Sequence, residues 1–302
     1  MSLLVVGSIG FDTLETPYGK ADSVLGGAAV YCGIGASFFA DVRVVGVVGE
    51  DFAEQHLTFL RAYKLDLDGL EVKPGKTFRW GAKYQADVNI RETLFTDLNV
   101  FAAFNPRIPE KYRDSTYVFL GNIQPELQLS VLEQIKQPRL VALDTMNYWI
   151  ERTPNELRKV LQRVDVLFVN DSEARSLAED THLISAIDRI RKMGPRTIII
   201  KKGEHGVLMS HDHSFFSAPG FPLERVCDPT GAGDTFAGGF MGHMAKINRL
   251  DQSTFRQAAI CGSAMASFAC EQFGPERFQT LDDSQIRARV NAFHEMMKFV
   301  PW

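Results

Sequence analysis

Short unbroken apolar runs alternate with amphipathic stretches along most of the chain. Leu3 to Val6 ends at Gly7, Val42 to Val48 at Gly49, Tyr117 to Leu120 at Gly121, Leu140 to Leu143 at Asp144, and Val166 to Val169 at Asn170. A further run, Thr197 to Ile200, leads into Lys201-Lys202-Gly203. Runs this short, β-branched and without polar alternation, predict strands buried on both faces, as in a parallel sheet covered by helices. Between them the pattern predicts helices over Ala28 to Phe39, Phe52 to Tyr63, Glu126 to Lys136, Pro154 to Arg163, Asp171 to Glu179 and Ile184 to Met193. The expected fold class is α/β: a three-layer sandwich with a mostly parallel central sheet and right-handed crossovers, one domain over residues 1–302.

One segment breaks this pattern. From Lys76 to Tyr84, Phe78, Trp80, Ala82 and Tyr84 alternate with polar or small residues, and a second strand-like stretch, Val88 to Phe95, follows. A period of two predicts a half-exposed antiparallel hairpin that stands off the main sheet. A flap over a site, a dimer surface and a plain edge hairpin all fit it. Past Gly203 the pattern predicts two edge strands, Gly206 to Ser210 and Ser214 to Ala218. Helices are expected at Gly231 to Lys246, Gln252 to Cys270 and Asp283 to Met297.

Composition narrows the class of partner. Lys and Arg number 33 against 37 Asp and Glu, a formal charge of -4, which argues against nucleic acid as the main partner. No run of 18 apolar residues suggests a membrane span, and the first residues do not resemble a signal peptide. The cysteines, Cys32, Cys227, Cys261 and Cys270, form no C-x-x-C and sit among small or apolar neighbours. They are expected to be reduced thiols of a cytoplasmic protein rather than a disulfide framework or zinc site.

The sharpest chemical signal is Asp228-Pro229-Thr230-Gly231-Ala232-Gly233-Asp234-Thr235-Phe236. Small residues open a helix whose apolar stripe is Phe236, Phe240 and Met244. A helix N-terminus offers unpaired N–H groups and a positive partial charge, so this is a candidate phosphate site. Asp234 in the first turn is read two ways: as a base that takes a proton from an attacking hydroxyl, or as an acid that complements the helix dipole.

That nonapeptide resembles the C-terminal signature of the ribokinase-like (PfkB) family of sugar and nucleoside kinases. Gly26-Gly27-Ala28-Ala29 followed by Val44 to Phe52 is similar to the family's N-terminal signature, and Gly7-Ser8-Ile9 with Asp12 resembles its first strand and loop. Asn170-Asp171-Ser172-Glu173 resembles its N-x-x-E motif, and Lys202-Gly203-Glu204-His205-Gly206 its nucleotide-side turn. The resemblance implies a small β lid, at about 13–23 and 76–104, over the acceptor. It implies ATP and Mg²⁺ as cofactors, Asp234 as general base, and the Gly231, Ala232 and Gly233 amides as an anion hole. Asp12, Gly26, Gly27 and Tyr31 would bind the acceptor; Lys202, Gly203, Gly206 and Thr230 would serve the nucleotide. Asn170 and Glu173 would hold Mg²⁺ largely through water, or form a helix cap, or do both. In several relatives oxygens near Asp228 and Thr230 hold a monovalent cation such as K⁺, an option here for Asp228.

Two positions depart from sugar-phosphorylating relatives, which commonly carry Asn where this chain has Gly10 and Tyr31. Tyr31 would offer an aromatic face instead, with Phe78, Trp80 and Tyr84 of the lid beside it. The expected activity is transfer of the γ-phosphoryl group to a hydroxyl of a sugar-like molecule, with a nucleoside as the alternative acceptor. A non-catalytic binding member of the same fold is the competing reading. A homodimer through the lid is a further expectation. Gly75-Lys76-Thr77 lacks the spacing and the helix of a phosphate-binding P-loop, and Gly33-x-Gly35 lacks a dinucleotide fingerprint. His211-Asp212-His213 is expected in a solvated turn.

Overall fold

The computed structural model of the protein describes residues 1–300. The chain begins with strands β1 (Ser2–Val6), β2 (Gly10–Thr16) and β3 (Gly19–Gly26), helix α1 (Ala28–Ser37), β4 (Asp41–Gly49), α2 (Glu54–Ala62) and β5 (Asp66–Lys73). It continues through β6 (Phe78–Tyr84), β7 (Arg91–Asp97), β8 (Tyr117–Leu120), α3 (Pro125–Gln134), β9 (Leu140–Asp144), α4 (Asn147–Arg152), α5 (Pro154–Leu161) and β10 (Val166–Asn170). The remainder is α6 (Asp171–Ala178), α7 (Leu183–Arg191), β11 (Thr197–Lys201), β12 (Val207–His211), β13 (Ser214–Ala218), α8 (Ala232–Ile247), α9 (Gln252–Ala269) and α10 (Asp283–Met297).

Nine strands form the main sheet in the order β13-β12-β11-β10-β9-β8-β1-β4-β5. All pairs are parallel except those of the edge strands β12 and β13. The alternation of strand residues between two cores explains the unbroken apolar runs. Leu3 and Val5 of β1 face a core shared with α1, α8 and α9; Leu4 and Val6 face one shared with α3, α5 and α7. Both faces of each central strand are covered, so no position can be polar until the strand ends. The polar residues appear at those ends: Asp144 on β9, Asn170 on β10 and Lys201 on β11. The strand order reverses between β1 and β8, the place where open α/β sheets bind ligands.

The segment that breaks the pattern is part of a separate four-stranded sheet, β3-β2-β6-β7. Strands β6 and β7 form the expected hairpin, and β2 and β3 supply the other half through a parallel β2–β6 pair. The second hairpin strand starts at Arg91, three residues later than Val88. Asp51 fastens the root of this sheet: it accepts the Thr77 N–H at 2.7 Å and the Thr77 hydroxyl at 2.6 Å. Thr77 Oγ1 in turn accepts the Gly49 N–H at 3.0 Å, so Gly75-Lys76-Thr77 is a hinge into β6 and not a phosphate loop.

Strand β5 (DLDGLEVK), which the pattern of apolar runs did not single out, pairs with β4 as the edge of the main sheet. One expectation needs correction. His211 does not lie in a solvated turn. It ends β12, buried, within 2.8 Å of the Thr197 hydroxyl and stacked 3.9 Å over Phe255.

Candidate active site

Helix α8 places the Asp-Pro-Thr-Gly-Ala-Gly-Asp segment at the carboxyl ends of the strands. Its stripe of Phe236, Phe240 and Met244 is buried against the sheet, and Gly238 lets it approach α1 so closely that a Cβ there would lie 2.3 Å from the Cys32 carbonyl oxygen. Gly231 caps the helix in the left-handed region at φ 73°. A Cβ at Gly231 would stand 2.3 Å from the Tyr31 ring, and one at Gly233 would stand 3.0 Å from Lys201 Nζ. These glycines make room first for the protein's own side chains. Of the three amides singled out in the sequence, Ala232 N–H already donates to the Pro229 carbonyl at 3.2 Å. The N–H groups of Gly231 and Gly233 have no backbone acceptor among the described residues. The donor set is therefore smaller than expected.

Asp234 sits in the first turn of α8, half-buried. It makes no ion pair within 4.0 Å and accepts no hydrogen bond from another described side chain. Burial pushes its carboxyl up to about 7, and the neighbouring Asp144 adds to this while Lys201 and Arg91 oppose it. Asp12 on β2 is 3% exposed and likewise without a hydrogen-bond donor from the protein. Burial raises it to about 8, with the negative charges of Asp228 and Asp234 contributing. The Asp12 carboxyl occupies the space a side chain at Gly26 would need, since a Cβ there would be 2.0 Å from Oδ2. Gly27, at φ 99°, packs against the Ser8 carbonyl and leads into α1.

The other expected residues are placed unevenly. Tyr31 is 1% exposed, with its ring under Gly231 and its hydroxyl unpartnered, so it has no open face on which a ligand could stack. Asp228 is wholly buried, and its two oxygens accept the Thr230 N–H at 2.9 Å and the Gly274 N–H at 3.3 Å. Through these two bonds it holds the loop that leads into α8. Gly203 and Gly206 both have positive φ in a tight turn closed by Lys202 N–H to the Gly206 carbonyl at 2.8 Å. Gly203 touches Asn89 of the lid hairpin, and Gly206 touches the end of β13.

Asn170 and Glu173 form a reciprocal cap on α6. Asn170 Oδ1 accepts the Glu173 N–H at 2.8 Å, and Glu173 Oε2 accepts the Asn170 N–H at 2.7 Å. Asn170 Oδ1 also accepts the Ser172 hydroxyl at 2.8 Å. Glu173 Oε1 is left over. Burial raises this carboxyl to about 7, with the Asp144 charge adding and Lys201 opposing. No cluster of three or more metal-binding side chains exists among the described residues. A divalent ion here would be reached through Glu173 Oε1 and its own waters, which suits Mg²⁺.

Residues the sequence reading missed complete the site. Lys201 Nζ bonds Asp144 Oδ2 at 2.9 Å, between Glu173 and Asp234. Their only sequence signal is position: each is the first charge after a buried apolar run. From the lid, Tyr84 and Thr230 share a hydrogen bond of 3.0 Å, and Arg91 lies 5.3 Å over the Trp80 ring with its charge felt at Asp234 and Glu173. These lid contacts depend on the β6–β7 pairing, which places Tyr84 opposite Arg91.

Residues 11–280 match the family described as pfkB family carbohydrate kinase. A cytidine kinase of Thermococcus kodakarensis is 31% identical over 83% of this chain and 91% of its own length. An ATP-dependent ribose-1-phosphate kinase of Halopiger xanaduensis is 26% identical over 80% of this chain and 79% of its own. The solved nucleoside kinase of Burkholderia thailandensis in complex with inosine superposes with a TM-score of 0.79 at 20% identity, covering 96% of this chain and 97% of that one. A putative ribokinase II from E. coli with ATP and Mg²⁺ superposes with a TM-score of 0.77 at 18% identity, covering 96% and 99%. These structures share the fold of this chain. Its family match, its relatives and its architecture agree: the chain belongs to the pfkB family of carbohydrate kinases and is a phosphotransferase with a hydroxyl acceptor.

Proposed function

We propose that the protein transfers the γ-phosphoryl group of ATP to a hydroxyl of a nucleoside held beneath the lid, with Asp234 as general base. The carrying observation is a pair of carboxyls, the buried Asp12 and the half-buried Asp234, neither hydrogen-bonded by another side chain of the protein, beside the unpartnered amides that open α8. A buried polar group without a partner is costly, so such groups mark a place where a ligand completes the bonding. Asp12 is the acceptor for ligand hydroxyls. Asp234 takes the proton of the attacking hydroxyl, the acceptor oxygen bonds to the γ-phosphorus, and the bridging P–O bond breaks toward ADP. The Gly231 and Gly233 N–H groups bind the charge on the transferring group. Mg²⁺, held through Glu173 and water, would neutralise the phosphates. A protonated Asp234 could not serve as base, so its raised pKa is matched to work just above neutrality.

A nucleoside is favoured over a free sugar by two observations. The cytidine kinase relative covers most of this chain, and the asparagines common to sugar-phosphorylating relatives are replaced by Gly10 and Tyr31. The test is ADP release from ATP and Mg²⁺ across a panel of nucleosides and free sugars. Nucleoside-dependent release is expected, and sugar-only release would overturn the choice of acceptor. Asp234→Asn should keep ATP binding and lose turnover by roughly 10³-fold or more; near-normal turnover would remove the base.

A further inference from the structure

We infer that Lys201 is a catalytic residue whose ammonium contacts the transferring phosphoryl group, and that Asp144 is the positioning residue that aims it. The inference rests on the kinase reading above and goes beyond the residues to which that reading gives a role.

Lys201 ends β11 and Asp144 ends β9, with β10 between them, so both side chains project from the carboxyl edge of the sheet. Their ion pair, Nζ to Oδ2 at 2.9 Å, leaves 19% of the lysine side chain and 8% of the aspartate side chain exposed. Nζ is 3.0 Å from the point where a side chain at Gly233 would begin. That puts the ammonium against the turn whose Gly231 and Gly233 amides lack backbone acceptors. An ammonium has three donors, and Asp144 takes one; no second acceptor is bonded among the described residues.

Charge points the same way. Around this single ammonium stand Asp144, Glu173 and Asp234. Burial alone would lower the lysine pKa, yet these carboxylates hold it above its ordinary value, so it stays charged. A fixed cation beside an opened helix terminus is the arrangement that stabilises negative charge building on a migrating group. It also compensates for the Ala232 amide, which Pro229 has already taken. As the acceptor oxygen bonds to the γ-phosphorus and the bridging oxygen leaves on ADP, the proton goes to Asp234. Lys201 keeps its protons and serves by charge and hydrogen bonding.

The test compares Lys201→Met with the double variant Lys201→Met/Asp144→Asn. The single variant leaves a buried carboxylate unpaired and can unfold for that reason; the double variant removes one charge of each sign and leaves the net charge of the site unchanged. Melting temperature confirms folding. We expect the folded double variant to lose kcat by about 10²–10³-fold while its KM for ATP moves by only a few-fold. Binding of ADP with aluminium fluoride and the consumed acceptor, a mimic of the transferring group, should weaken in proportion to kcat, whereas binding of ADP alone should not. Asp144→Asn keeps an oxygen for the ammonium and should lose less kcat than Asp144→Ala at equal KM for ATP. A folded double variant with the turnover of the wild type would make the pair structural and overturn the inference alone. A wild-type protein that phosphorylates nothing on the panel would overturn the kinase reading, and this inference with it.

Discussion

Tyr84, the last residue of β6, and Thr230, in the loop before α8, share a hydrogen bond of 3.0 Å between their hydroxyls. It joins the lid sheet to the loop that opens α8, across a sequence separation of 146 residues. The lid is thereby coupled to the phosphate side of the site and not only to the acceptor side.

Tyr84→Phe removes this bond and the hydroxyl's interaction with Arg91 while keeping the ring. A buried neutral hydrogen bond contributes about 1 kcal/mol, so the acceptor KM should rise roughly fivefold with a smaller change in the KM for ATP. Steady-state kinetics on the nucleoside identified by the panel decide it. An unchanged acceptor KM would mean the contact does not hold the lid in place.

Asp12 links function to stability through pH. Its folded pKa of about 8 lies well above that of a carboxyl in an unfolded chain, about 4. Between those values the folded protein keeps a proton that the unfolded chain has released, so stability falls as pH rises from about 4 to about 8. Asp12→Asn should therefore melt several degrees higher than the wild type at pH 8, with little difference at pH 4, while acceptor binding is lost. Equal melting temperatures at both pH values would refute the buried, uncompensated charge.

Asn170 and Glu173 can be separated by experiment. Glu173→Gln keeps an oxygen for the cap but drops the charge, so the Mg²⁺ concentration for half-maximal activity should rise without loss of melting temperature. Asn170→Ala removes the cap and should cost about 1 kcal/mol of stability. If Glu173→Gln leaves the Mg²⁺ dependence unchanged, the pair is only a cap.

Gly231→Ala should destabilise the protein and abolish turnover together. The left-handed backbone at φ 73° costs a side chain about 1–2 kcal/mol, and the added Cβ would collide with the Tyr31 ring at 2.3 Å. A variant with unchanged melting temperature would show that this turn tolerates another conformation.

Much of the architecture was legible because burial on two faces leaves a mark in the residues. Leu3, Leu4, Val5 and Val6 must all be apolar when neighbours alternate between two cores, and the six predicted central strands are all present. Strand β5 was not legible because an edge strand relaxes that demand, and Asp66, Asp68 and Glu71 interrupt its apolar positions. The lid hairpin announced itself by its period of two, whereas its other half, β2 and β3, was expected at about 13–23 only from the family resemblance. A parallel pairing between β2 and β6 joins segments more than 60 residues apart, and no local pattern records it.

By itself the sequence determined the layered α/β class, the family, and the position of Asp234 in the first turn of a glycine-opened helix. Those follow from local rules: periodicity, helix-end chemistry and a long motif. Only the tertiary structure decided which donors are free, what the glycines make room for, that Tyr31 is sealed beneath Gly231, and that Lys201 meets Asp144 beside Asp234. These facts depend on the carboxyl ends of strands far apart in the chain converging at one edge of the sheet. Burial there sets both the charge states and the remaining hydrogen-bonding capacity, and neither quantity belongs to any single stretch of sequence.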